Sequence, residues 1–221
     1  MSVSERINEL KNELPEGVTL VAVSKTHPVA AIEEAYAVGQ RIFGESRPLE
    51  LKEKYETLPK DIEWHFIGTL QSKQVKYYAP FVSLIHSVDS EKALQVIQKE
   101  AVKNSRTIDV LLELHIAEEE SKQGWSPAEL DEYLASGRFR ELVNVRIRGF
   151  MGMATFTEDQ EQVRREFTCL KNSFDRLKTL YFAEVGEVFD TLSMGMTDDW
   201  RIAVECGSTI VRIGSYIFGQ R

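Results

Sequence analysis

Val18-Thr19-Leu20-Val21-Ala22-Val23-Ser24-Lys25-Thr26-His27 is the stretch on which the fold turns. Its first six residues are β-branched and nearly continuously apolar, as in a parallel strand buried on both faces. The turn that follows, Ser24-Lys25-Thr26-His27, holds no glycine. A doubly wound open sheet usually leaves its first strand through a glycine-rich phosphate turn, so this stretch points toward a barrel instead. At the carboxyl end of such a strand the stem of Lys25 would be buried and its ammonium half desolvated. That lowers the pKa and frees an amine to attack a carbonyl. An isolated lysine in such a place more often snorkels to solvent, so its meaning depends on the rest of the chain.

Moving outward, β-rich apolar runs occur at Val18–Ser24, Arg41–Gly44, Glu63–Ile67, Val82–Ser87, Ile108–His115, Arg146–Gly152, Thr191–Gly195 and Ile210–Tyr216. Stretches of helical period lie between them. The clearest runs from Glu158 to Leu180, where Val163, Phe167, Leu170, Phe174 and Leu177 follow at spacings of 4, 3, 4 and 3. Another starts at Pro28, carries Ile32, Ala35 and Tyr36, and stops at Gly39. Ser126, Pro127 and Glu129 open a third with a pattern close to a capping box. Ser90 and Thr197 are candidate caps for two more. Eight strands alternating with helices, after an extra helix near Ser2–Leu14, predict one (β/α)8 TIM barrel over residues 1–221.

Composition narrows the function. Hydrophobic residues make up 43% and charged residues 28% of the 221, the profile of a soluble globular protein. A formal charge of −8 with no basic stripe argues against a nucleic-acid partner, because phosphate contacts need a cationic surface. No apolar run reaches membrane-spanning length, and Met1-Ser2-Val3-Ser4-Glu5-Arg6 lacks a signal-peptide hydrophobic region, so a cytoplasmic protein without membrane partners is expected. Cys169 and Cys206 are far apart and lack metal-ligand spacing, which fits a reducing compartment. Cys169, on the apolar side of the long helical pattern, is expected to be a small core residue.

In a barrel the strand carboxyl ends converge on one mouth. Here they supply Lys25, Glu45 with Ser46, Gly68, Ser87, His115, Met151, Ser193 with Met194, and Arg212 with Gly214 and Ser215. One amine, one arginine, several hydroxyls and few carboxylates suit an anionic aldehyde better than a metal ion or a glycosidic bond. Phosphate groups in barrels commonly bind the loops after strands seven and eight. Gly214 would let the backbone approach such a group, with Ser215 and Ser193 as donors. Gly207-Ser208-Thr209 reads either as part of that site or as a helix C-cap and turn. Met151 and Met153 share a face, as do Met194 and Met196, either as core filler or against a flat aromatic ligand. His65 falls within its strand, where a satisfied core or rim histidine is expected, and His115 could face the mouth. Glu118-Glu119-Glu120 reads as a solvated loop, with Lys122 and Gly124 beyond it. No histidine has metal-ligand spacing, so no metal is expected.

Taken together, these motifs resemble the pyridoxal phosphate homeostasis protein family, single-domain barrels related to the N-terminal domain of alanine racemases. The matching stretches are Val21-Ala22-Val23-Ser24-Lys25, Phe43-Gly44-Glu45, Trp64-His65-Phe66-Ile67-Gly68 with Leu70-Gln71 and Lys73, Lys122-Gln123-Gly124, Gly149-Phe150-Met151, Leu192-Ser193-Met194-Gly195-Met196, and Gly207-Ser208-Thr209 through Val211-Arg212-Ile213-Gly214 to Phe218-Gly219. The resemblance implies that Lys25 holds pyridoxal 5′-phosphate (PLP) as a Schiff base and that Arg212 faces the pyridine nitrogen. It implies a phosphate held by Ser193, Gly214 and Ser215, and a wider site that takes in Ser46, Met194, Ser208 and Thr209. It further implies a monomeric carrier of the cofactor, with PLP-dependent apoenzymes as partners and no established turnover. The alternatives are a PLP-dependent amino-acid racemase and a cofactor-free Schiff-base aldolase. Racemisation needs two opposed acid/base groups. Alanine racemases take the second, a tyrosine, from a β-domain that would begin where this chain stops. One departure stands out. The family pattern Phe-Gly-Glu-Asn is here Phe43-Gly44-Glu45-Ser46, followed by Arg47-Pro48, so an amide near the expected ring position is lost.

Overall fold

A computed structural model describes residues 1–119, 123–185 and 188–220. Glu120 and Lys122 of the expected solvated loop lie outside them. The strands are β1 (Thr19–Val23), β2 (Ile42–Glu45), β3 (Glu63–Phe66), β4 (Leu84–Val88), β5 (Ile108–Glu113), β6 (Val145–Met151), β7 (Thr191–Ser193) and β8 (Ile210–Ile213). All pair in parallel in chain order, and β8 returns to β1, closing a (β/α)8 TIM barrel. The helices are α1 (Val3–Glu13), α2 (Val29–Ala37), α3 (Pro48–Thr57), α4 (Glu91–Lys103), α5 (Pro127–Ala135), α6 (Gln160–Tyr181), α7 (Trp200–Glu205) and α8 (Ser215–Phe218). Between β3 and β4 a single 3-10 turn, Val75–Tyr77, stands where a full helix was expected.

Local chemistry sets the helix starts. Ser2 with Glu5 and Ser126 with Glu129 make complete capping boxes, and the Ser90 side chain accepts from the amide of Ala93. The extra helix α1 ties the beginning of the chain to its end, with Arg6 Nη1 donating to the Ile217 carbonyl at 3.2 Å. On α6 the buried stripe is Val163, Phe167, Leu170, Phe174 and Leu177, joined by Glu166. Cys169 is exposed, contrary to the core position expected of it, because two residues past Phe167 a helix has turned about 200°. Thr197 caps no helix, since α7 begins only at Trp200.

Period-two alternation sorts the strands into two shells. Leu20, Ala22, Phe43, Trp64, Phe66, Leu112, Phe150, Leu192, Val211 and Ile213 face the helices in the main core. Val21, Leu84, Leu111, Met151 and Ile210 form a smaller apolar cluster inside the barrel. The residues alternating with the outer shell therefore point inward, and several are polar: His65, His86, Ser193, Arg212 and, two positions beyond Leu111, Glu113, all buried.

Candidate functional site

Lys25 follows β1 at the position where alternation from Val21 and Val23 directs a side chain into the mouth. It is half-buried. The next residue, Thr26, has φ 68°, a left-handed conformation that costs a branched residue roughly 1–2 kcal/mol. The turn is clamped from α3. The Thr26 amide donates to Glu50 Oε1 at 2.6 Å, and Lys54 Nζ donates to the same oxygen, to Glu45 Oε1 and to the Ser24 carbonyl at 2.7, 2.7 and 2.8 Å. Ser24 Oγ donates to Glu45 Oε1 at 2.6 Å. Burial raises the Glu45 pKa, with Lys54 opposing the rise. Glu45, expected at the mouth, thus faces α3 and serves as an anchor beneath Lys25.

Across the mouth, a cavity of about 370 Å³ brings Lys25 together with His27, Met153, Met196, Thr197, Arg212, Gly214 and Ser215. Ser215 Oγ donates to Thr197 Oγ1 at 3.1 Å, so two hydroxyls meet at the first turn of α8. At Gly214 a Cβ would stand 3.0 Å from the Val23 carbonyl oxygen, so a side chain here would force the neighbouring backbone to give by a few tenths of an ångström. A second depression of about 770 Å³ shares Lys25 and Ile67 and is lined by Ser46, Arg47 and Gly68.

Other expected contacts lie elsewhere. Met194 is fully buried in the outer core. Gly195, with φ +96°, then breaks the alternation and brings Met196 to the cavity. Ser208 is buried against β7, its Oγ within reach of the Met194 and Ile210 carbonyls at 2.7 and 2.9 Å. Thr209 Oγ1 accepts from the Leu192 amide at 2.8 Å, and the residue lines a cavity at the amino ends of the strands, opposite the mouth. Both hydroxyls serve the β7–β8 junction. Ser193 points into the barrel beneath Arg212 instead of toward the cavity.

Arg212 is buried and, among the described residues, its hydrogen bonds go to neutral oxygens. Nη1 reaches the Ser193 carbonyl and Oγ at 2.9 and 2.6 Å, and Nη2 reaches the Gly152 carbonyl at 3.3 Å. Burial lowers its pKa to about 10, against the attraction of Asp199 and Glu113. Glu113 is pushed up to about 7 by burial, with Arg212 pulling it down. Burial likewise raises Asp199, whose Oδ1 accepts from the Met196 amide at 2.6 Å. Ser193 Oγ also meets His86 Nδ1 at 3.0 Å, and His86 Nε2 meets His65 Nδ1 at 3.0 Å.

An amine, a buried donor-only arginine, paired hydroxyls and a close-approach glycine make a donor set for a small anionic carbonyl compound. Comparison with known proteins sharpens this. The model of the alanine racemase N-terminal domain family matches residues 2–221. A pyridoxal phosphate homeostasis protein of Aquifex aeolicus is 42% identical over 203 residues, covering 91% of this chain and 86% of that protein. The chain belongs to the pyridoxal phosphate homeostasis protein family. A solved structure of a family relative, PipY of Synechococcus elongatus without PLP, superposes with a TM-score of 0.92 at 35% identity, covering 99% of this chain and 100% of that one. The PipY structure with PLP bound gives 0.88 at 34% identity, with the same coverage.

Three residues at or beneath the mouth carried no sign of that place in the sequence: Thr197 lines the cavity, while Glu113 and His86 lie buried inside the barrel. Thr197 was expected as a helix cap, although its hydroxyl follows the same Leu192–Met196 segment as the phosphate candidates. Glu113 was hidden because its strand was expected to run on to His115. His86 lay inside a strand, and its partner Ser193 is 107 residues away.

Proposed function

We propose that this chain is a single-domain PLP carrier that holds the cofactor as a Schiff base on Lys25 and buffers and delivers it without turnover of its own. The convergence of Lys25, Arg212, Thr197, Gly214 and Ser215 on one cavity carries this reading. PLP supplies an aldehyde for the amine, a phosphate for the hydroxyls and a ring nitrogen for the arginine. The names of the relatives and the PLP-bound PipY structure support it. Lys25 supplies the covalent anchor, Thr197 and Ser215 the phosphate donors, and Gly214 the room for them. Ser46, on the neighbouring depression, borders the ring.

Arg212 explains why a carrier is favoured over an enzyme. A guanidinium only donates, so a ring nitrogen facing it stays an unprotonated acceptor. Such a ring is a poor electron sink, which disfavours decarboxylation and transamination. Racemisation would need a second acid/base group opposite Lys25. The reading puts the carrier in the cytoplasm, as a monomer serving PLP-dependent apoenzymes. Its two cysteines, neither in a disulfide, suit a reducing compartment.

The test is an absorbance scan of protein incubated with PLP, followed by borohydride reduction and mass mapping. A yellow protein labelled at Lys25, with Lys25→Ala folded and unlabelled, is expected. Colourless wild-type protein that stays unlabelled in excess PLP overturns the carrier reading and leaves an aldolase lysine. Rapid exchange of amino-acid α-protons with deuterated water would show a racemase instead.

A further inference from the structure

We infer that His65, His86 and Ser193 form a one-way hydrogen-bonded chain across the barrel interior that fixes the guanidinium of Arg212, which makes His86 a positioning residue for the cofactor site. The role toward the cofactor rests on the reading above; the direction of the chain does not.

His65 and His86 project inward from β3 and β4, while Ser193 and Arg212 project inward from β7 and β8, across the cylinder. The contacts Arg212 Nη1 to Ser193 Oγ, Ser193 Oγ to His86 Nδ1 and His86 Nε2 to His65 Nδ1 measure 2.6, 3.0 and 3.0 Å. All four residues are buried. His65 also lines the cavity at the amino ends of the strands, so the chain runs from that end of the barrel to the arginine at the mouth.

Proton counting then sets the direction. Arg212 can only donate, so it occupies one lone pair of Ser193 Oγ. The hydroxyl keeps one proton, and a buried hydroxyl proton without an acceptor is costly. His86 Nδ1 is the acceptor within reach and must be bare. The imidazole proton therefore sits on Nε2 and is donated to His65 Nδ1, which leaves His65 protonated on Nε2, toward the far cavity. Burial supports the neutral forms, holding His65 near 3 and His86 well below its ordinary value. A second proton on His86 would remove the acceptor that orients Ser193. It would also place a cation beside the arginine. The chain thus holds Nη1 in place through neutral hydrogen-bond partners, while Glu113 and Asp199 supply the electrostatic attraction, and the guanidinium remains a cation at the mouth.

Two measurements decide this. Ring nitrogen NMR shifts of histidine-labelled, cofactor-free protein at neutral pH should show both His65 and His86 as Nε2–H tautomers, and Ser193→Ala should release His86 to a mixture. In PLP titrations, His86→Leu should weaken affinity about tenfold, the worth of one lost hydrogen bond, and move the absorption maximum of the loaded protein. His86→Asn, which keeps an acceptor for Ser193, should recover most of both. An Nδ1–H tautomer at His86 overturns the chain. Should His86→Leu not fold, Ser193→Ala replaces it in the titration. Affinity and spectrum unchanged from wild type in the folded variant overturn the positioning role. Wild-type protein that takes up no PLP overturns that role together with the cofactor reading, while the tautomers still judge the chain alone.

Discussion

Glu113→Gln should make the protein more stable at neutral and alkaline pH. The carboxyl is 4% exposed, and burial lifts its pKa from 4.5 to about 7 despite Arg212. A carboxyl raised in this way binds its proton more tightly in the folded state than in the unfolded one. Its contribution to stability is thus complete below pH 4.5 and is lost progressively as pH rises through about 7. At about 1.36 kcal/mol per tenfold change in proton affinity, that displacement corresponds to roughly 3 kcal/mol at pH 8. An amide of the same shape carries no such penalty. Urea unfolding at pH 5 and pH 8 measures the difference between the two proteins. The variant should lead by roughly 3 kcal/mol at pH 8 and by less than about 1 kcal/mol at pH 5. An offset that does not change with pH, or a wild type that is the more stable at pH 8, would show that Arg212 compensates the ionised carboxylate in full. Burial would then not set the pH dependence of stability at this carboxyl.

Lys54→Met should cost about 3–5 kcal/mol by leaving Glu45 buried and unpaired, and Glu45→Gln in the same chain should restore much of it, read as thermal midpoints. Gly195→Ala should destabilise by more than about 2 kcal/mol, because φ is +96° and the new Cβ would stand 2.6 Å from that of Ala203. Thr197→Val should weaken binding of PLP about tenfold while leaving that of unphosphorylated pyridoxal nearly unchanged, as titration with each would show. Equal losses for the two ligands would remove Thr197 from the phosphate site.

Much of this was readable in the chain because strand alternation and strand ends are local facts. The run Val18–Val23 placed Lys25 at the rim, and Val211-Arg212-Ile213-Gly214-Ser215 placed an arginine, a glycine and a hydroxyl near one another. What escaped depended on termini and on distant partners. β5 ends at Glu113 because the chain then turns to a new partner: the Leu114 amide still donates to the Met151 carbonyl, but Leu114 also bridges to Trp125 and the His115 amide donates to the Trp125 carbonyl. Ser193 looked like a mouth residue until Arg212 and His86 claimed its hydroxyl from two other strands. Glu45 carried no sign that a lysine on the following helix would draw it outward. Ser208 and Thr209 sat in a stretch where family likeness and turn chemistry agreed on importance but not on role.

The docking of α1 against the last residues bears on how such a cylinder is made. Ribosomes deliver the chain from one end at ~5–20 residues per second, so β1 emerges on the order of ten seconds or more before the strand that will cover its second edge. Until then that edge is an unpaired template within reach of other nascent chains. Arg6 has nothing to grip before Ile217 appears. Closure therefore waits for β8, and a chaperone shielding the nascent amino-terminal half would act during the interval in which that edge stands open.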